Sequence, residues 1–254
     1  MPLLRPRSAL ALLALAAAIL GGGCRQRFRP DWDLTAFALQ MTVDEYVELG
    51  ERGDFTDVPA LAPLLDHARA ALGPPDDRTR RFAGELDALR SAVLRHETPM
   101  VVGRHAARLL AELEKSGAPL KRPGARPDLA RGAATYGDAC AACHGPPRGP
   151  PPPAVAHMVP QPPPPTQSAQ TPYQIFARVT YGGLGTPMPS FSETLSEDLR
   201  WDIAFYLFAD RWPPCGGDRP LPELPAAELA HLSDYDLWRR FGWGTAPCLR
   251  RRFR

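Results

Sequence analysis

Gly132-Ala-Ala-Thr-Tyr136-Gly-Asp-Ala-Cys140-Ala-Ala-Cys143-His144 decides how this chain is read. The stretch lies on a short helix from Asp128 to Ala139 that runs directly into two cysteines three apart, with a histidine after the second. Gly132 and Tyr136 are four residues apart and share one helix face. Gly132 lets another backbone approach, and a later aromatic stripe, Trp201, Phe205 and Tyr206, is suited to meet it. Working outward, prolines crowd the segment from Pro146 to Pro165, which reads as a loop. The chain holds 31 prolines in 254 residues, well above the roughly 5% of typical proteins. A helix follows from Pro172 to Tyr181, and a turn at Gly182, Gly183 and Gly185 delivers Met188. Ser196 caps a further helix that carries Glu197 and Asp198 in its first turn and runs to about Asp210. The expected fold is all-α.

Cys-x-x-Cys-His is the attachment signal for c-type haem. Two thiols add to the porphyrin vinyl groups, and the adjacent imidazole is held where it can reach the iron. A thioredoxin-like redox pair should lie near a βαβ pattern, and none is evident; a zinc site needs more closely grouped ligands, and Cys215 and Cys248 are distant. Cys140, Cys143 and His144 are therefore the candidate attachment and ligand residues for one haem c. A thioether is the soft second axial ligand that binds both iron states and raises the potential. Met188, between Pro187 and Pro189, is the candidate, held on a rigid extended strip. Met158 and His157 are its rivals, inside the proline-rich loop. Ligands filling both axial positions leave no open place for substrate, which points to a one-electron carrier and away from an enzyme. A haem sensor or peroxidase would need an open or displaceable position.

Ahead of the linker Lys121–Pro127, residues 31–120 read as a helical domain. Its apolar stripes are Leu34, Phe37, Ala38 and Met41; Leu61, Leu64, Leu65, Ala68 and Leu72; Phe82, Leu86, Leu89 and Val93; and Val102, Ala106, Leu109, Leu110 and Leu113. Asp57 with Pro59 opens the second stripe and Gly73-Pro74 closes it; Thr98-Pro99 opens the fourth and Gly117 stops it. Four amphipathic helices on short loops suggest a small antiparallel bundle. Residues 212–254 form a tail, irregular from Pro213 and then helical between Ala226 and Phe241.

Residues 1–24 read as an export signal, with Arg5 and Arg7 ahead of an uncharged run and Cys24 after three glycines. The run is short for a membrane span. Cys24 is placed as in a bacterial lipoprotein signal, although Leu20 stands one position further from it than such signals usually have. The expected location is the bacterial periplasm or envelope, with a lipid anchor on Cys24. An oxidising compartment also favours a disulfide between Cys215 and Cys248. Thirty Lys and Arg against 28 Asp and Glu leave no nucleic-acid footprint. His67, His96, His105 and His231 read as isolated helix-surface side chains, with no Glu-x-x-His pair to build a second metal site.

Residues 127–211 resemble a class I monohaem cytochrome c, through Gly132-x-x-x-Tyr136, the Cys140 to His144 motif and the Met188 strip. A closer likeness lies in Pro172-Tyr173-Gln174-Ile175-Phe176, Thr180-Tyr181-Gly182, Gly185 to Phe191 and Leu199 to Tyr206. These are similar to the cytochrome part of bacterial cytochrome c and iron permease fusion proteins, which also carry a helical region before the cytochrome. This sequence departs from the fusion in having no membrane permease. The resemblance implies an iron permease as redox partner; a respiratory complex is the generic alternative for a carrier of this kind.

Overall fold

The structure, a computed structural model, describes residues 29–52, 61–74, 76–77, 79–159, 161–167, 169–183, 186–212 and 221–254. The leader with Cys24, the cap residues Asp57 and Pro59, Gly185, and Pro213 with Cys215 lie outside them. Every regular element among the described residues is helical. The first four are α1 (Trp32–Arg52), α2 (Leu61–Ala71), α3 (Thr79–Leu94) and α4 (Pro99–Lys115). The breakers among the described residues act as their chemistry requires. Gly73 and Gly117 close α2 and α4 with φ of 72° and 67°, the left-handed conformation that costs glycine least. Thr79 and Asp76 open α3 by exchanging hydrogen bonds, Thr79 N–H to Asp76 Oδ1 at 2.7 Å and Asp76 N–H to Thr79 Oγ1 at 3.0 Å. Leu64, Leu65, Leu86, Leu89, Val93, Val102, Ala106 and Leu109 are buried between these helices. α1 packs on both α2 and α4, and α3 on its neighbours α2 and α4.

After the linker come α5 (Leu129–Ala139), α6 (Ala141–His144), α7 (Pro172–Tyr181) and α8 (Glu197–Asp210). The crossing of α5 and α8 is as close as the sequence suggests. A Cβ on Gly132 would overlap the Asp202 carbonyl oxygen, and the Tyr136 and Tyr206 rings sit 5.9 Å apart. Trp201 stacks flat on Phe176 of α7 at 4.0 Å, which fixes α7 against α8. Asp202, buried, accepts the Asp128 N–H at 2.7 Å and pairs with Arg131, so the start of α5 is tied to α8 by charge as well as by packing.

The helices before and after the linker share one continuous core. Asp33 of α1 is buried and accepts the Lys121 N–H at 2.8 Å and the Tyr173 hydroxyl at 2.9 Å. Burial pushes its carboxyl above the usual range in spite of those two donors. Two residues earlier, just ahead of α1, Asp31 accepts the Tyr181 hydroxyl at 3.0 Å, and Phe37 stacks on the Tyr181 ring at 5.5 Å. This clamp between α1 and α7 was not legible in the stripe pattern, because both aspartates occupy positions that read as polar surface.

The tail differs from the single helical run expected of it. It holds three short helices, α9 (Ala226–Leu229), α10 (Asp234–Phe241) and α11 (Ala246–Leu249). The break after α9 has two causes. The Ala230 carbonyl accepts the Tyr173 N–H at 2.8 Å, and Ser233 starts a new helix by forming a capping box with Asp236. His231, in this break, is not the surface side chain its sequence context suggests. It stacks on Tyr173 at 4.6 Å, its Nε2 donates to the Lys121 carbonyl at 3.0 Å, and burial pushes its pKa down to about 4. His105 is not isolated either, since its Nε2 meets Glu85 Oε2 at 2.8 Å. Cys248 is buried and disulfide-bonded, with a partner outside the described residues.

Candidate functional site

Asp128 begins the site by capping α5, its carboxylate accepting the Ala130 and Arg131 N–H groups at 2.9 and 3.1 Å. The helix then delivers Cys140, whose carbonyl accepts the N–H of Cys143 at 3.1 Å and of His144 at 2.9 Å. One helical turn thus carries both thiols and the imidazole. Cys140 is half-buried, and burial together with the neighbouring Cys143 pushes its thiol up to about 11. Cys143 is exposed.

Gly145 ends this turn at φ 68°, and a Cβ there would overlap the Pro150 carbonyl oxygen, so the chain can double back only with glycine. The Tyr136 hydroxyl, buried one helix face away, donates to the Gly145 carbonyl at 2.8 Å and pins the turn to α5. The proline-rich loop then folds under the histidine: His144 Nδ1 donates to the Pro163 carbonyl at 2.9 Å. Thr166 closes the loop by donating to the Pro147 carbonyl from its hydroxyl, at 2.5 Å, and from its N–H, at 3.3 Å. With Nδ1 carrying the proton, Nε2 keeps its lone pair and can serve as a metal ligand. A backbone carbonyl on the other ring nitrogen is the usual second partner of a metal-binding histidine. Pro163 was not anticipated; its signal was only the density of prolines, which marks a rigid loop and not which carbonyl it presents.

Met188 sits at the far end of α7. Gly182 leaves that helix at φ 78°, where a Cβ would press on the Met188 carbonyl oxygen and the Pro189 and Ser190 backbone at 2.8 Å. The Gly183 N–H donates to the Met188 carbonyl at 3.1 Å, and the Met188 N–H donates to Thr186 Oγ1 at 3.2 Å. Beyond it, Ser190 Oγ donates to the Thr180 carbonyl at 2.6 Å and the Phe191 N–H to the Val179 carbonyl at 3.1 Å. The half-buried methionine is therefore anchored on both sides by the last turn of α7. Its rival His157 is exposed, while Met158 is half-buried in a turn after the short 3-10 helix Pro153–Val155. The donor set fits haem c: paired thiols and an oriented imidazole on one turn, and a thioether on a separate, fixed strip.

Residues 127–207 match the family model described as cytochrome C oxidase, cbb3-type, subunit III. No curated protein and no solved structure matches the chain. The matched segment is a cytochrome c domain. The cofactor that goes with it is haem c, covalently attached. Among the described residues no helix is long and apolar enough to cross a membrane, and no three His, Cys, Asp or Glu side chains group as a further metal site.

Proposed function

We propose that the chain is an exported one-electron carrier whose haem c is attached through Cys140 and Cys143 and ligated by His144 and Met188. The observation that carries this reading is the hydrogen bond from His144 Nδ1 to Pro163, which orients an imidazole next to two free thiols and leaves Nε2 available. Bound there, the haem supplies an iron that cycles between ferrous and ferric states. The protein holds the ring that ligates it and fixes the thioether strip through Gly182 and Gly183. Exchanging both Cys140 and Cys143 for alanine abolishes the haem-staining band that survives denaturation. Met188→Ala opens the sixth position, so the reduced protein binds carbon monoxide and its potential falls. A Met158→Ala variant that does this instead, with Met188→Ala leaving the spectrum unchanged, would assign the ligand to the loop.

The carrier works at the bacterial envelope, held by a lipid on Cys24, and exchanges electrons with a membrane protein. The matched family is an oxidase subunit, which favours a respiratory partner. The likeness of residues 172–206 to iron permease fusions supports a second reading, in which the haem exchanges electrons as iron changes oxidation state during uptake. Deleting the gene separates the two: slowed oxygen consumption with unchanged ferrous iron uptake selects the oxidase, and the reverse selects the permease.

A further inference from the structure

Three aromatic rings stand together on the tail with little to cover them. Tyr235 is 60% exposed and Trp243 68%, and Trp238 links them at ring distances of 5.4 and 5.1 Å. Large aromatic side chains carry much of the apolar area that a fold or an interface buries, so two left in water beside a third are an anomaly of the kind that marks a contact surface. The patch is rigidly presented. The capping box fixes the start of α10, Asp234 pairs with Arg211 at 3.2 Å and with Arg250 at 2.5 Å, and Leu237 is buried beneath the helix. Helical spacing puts Trp238, Tyr235 and Arg239 side by side on the outward face. Arg239 is exposed and has no carboxylate partner among the described residues.

We propose that this face rests in the headgroup layer of an anionic phospholipid membrane. Two arguments select lipid over a protein partner. Trp and Tyr have an apolar body with a polar tip, which is the chemistry of the membrane interface, and the neighbouring exposed guanidinium of Arg239 adds attraction to phosphate. The second argument is reach and rests on the proposed lipid at Cys24. Asp31 is seven positions after Cys24, and those seven steps, fully extended, span at most about 25 Å. Asp31 and Asp33 are clamped to α7, Tyr173 of α7 stacks on His231, and α10 begins three residues after His231. The start of α1 and the break that leads into α10 are therefore both fixed to α7, and a short tether keeps α7 and the elements packed on it close to the bilayer.

The test is hydrogen exchange of residues 234–245 in the full-length holoprotein, with and without vesicles of phosphatidylglycerol and phosphatidylcholine. Exchange in this segment slows several-fold on the vesicles, less on phosphatidylcholine alone. A Tyr235→Ala/Trp243→Ala variant loses the protection while its haem spectrum and thermal midpoint stay unchanged. Cys24→Ser separates the two readings: if only the anchor reading fails, it leaves vesicle flotation unaltered while the wild-type segment is still protected. Equal exchange with and without vesicles overturns the proposal. So does protection that survives in the double variant, or protection that grows with protein concentration in the absence of lipid, which would assign the face to a second copy.

Discussion

The cytochrome segment and the four helices before it are built from the same kind of element and constrained in different ways. Around the candidate haem site the backbone itself is in contact: Gly132 under Asp202, Gly145 under Pro150, Gly182 against Met188 to Ser190. In α1 to α4 the helices meet through Leu, Ala and Val side chains, and Gly84 of α3 has nothing within 4 Å of where a Cβ would stand. Side-chain packing accepts many volume-conserving solutions, whereas backbone on backbone accepts only one residue. The first region therefore announces itself through a few fixed letters, and the second only through periodicity.

The sharpest way to break that contrast is a matched pair of substitutions. Gly132→Ala forces a methyl into the Asp202 backbone and costs more than about 3 kcal/mol, since neither helix can yield alone. Gly84→Ala, on an exposed helical position, stabilises by about 0.5–1 kcal/mol. Denaturant titration followed by far-ultraviolet dichroism measures both. Similar effects from the two exchanges would mean that the regions are constrained alike.

A smaller effect tests whether the two regions unfold as one. Tyr173→Phe keeps the ring over His231 and removes one of the two donors to buried Asp33, at a cost of about 1–3 kcal/mol. If the clamp makes the molecule cooperative, haem absorbance and helix content separate into two transitions in this variant while coinciding in the parent protein. Two coincident transitions in both would place the cooperativity in the shared apolar core.

The subtlest prediction is a pH slope. His231 is neutral when folded, with a pKa of about 4 against 6.5 in the unfolded chain. Above about pH 6.5 neither state binds the proton and the residue adds no slope. Between there and pH 4 only the unfolded state binds it, so stability falls as pH falls. Asp33, raised by burial, slopes in the opposite sense, because its unfolded form ionises first as pH rises. His231→Phe retains the stack on Tyr173 and removes only the histidine part. The difference in thermal midpoint between variant and parent should therefore grow from pH 6.5 to pH 4, and a constant difference would contradict the burial of this ring.

These contrasts explain what the sequence alone could convey. Helix bounds were legible wherever a cap or breaker acts locally: Asp128, Thr98-Pro99, Ser196, Gly73 and Gly117 all fall where the elements begin or end. The Cys140 to His144 spacing pointed to the cofactor because attachment chemistry requires it in one helical turn. Hidden were the groups that act at a distance in the chain. Pro163 meets His144 nineteen positions away, Asp202 meets Arg131 across 71, and His231 meets Lys121 across 110. No local pattern encodes such pairs, and a short polar side chain such as Asp33 looks the same whether it faces water or a tyrosine. The tail was misread for a related reason, since the carbonyl that ends α9 is taken by Tyr173, more than fifty positions earlier.

The clamp also sets an order on how the chain can mature. Asp33 and Asp31 find their tyrosines 140 and 150 positions later. Closing so long a loop costs little more free energy than a shorter one, each doubling adding about 0.6 kcal/mol, but it delays the moment of closure. As the chain emerges, α1 can gather α2 to α4 around it while its α7-facing side, with Phe37 and both aspartates, still faces water. A chain cut or stalled before Tyr173 shows that unsealed side to any protease nearby. The first helix thus stays vulnerable to degradation until the segment that leads to Met188 has folded against it.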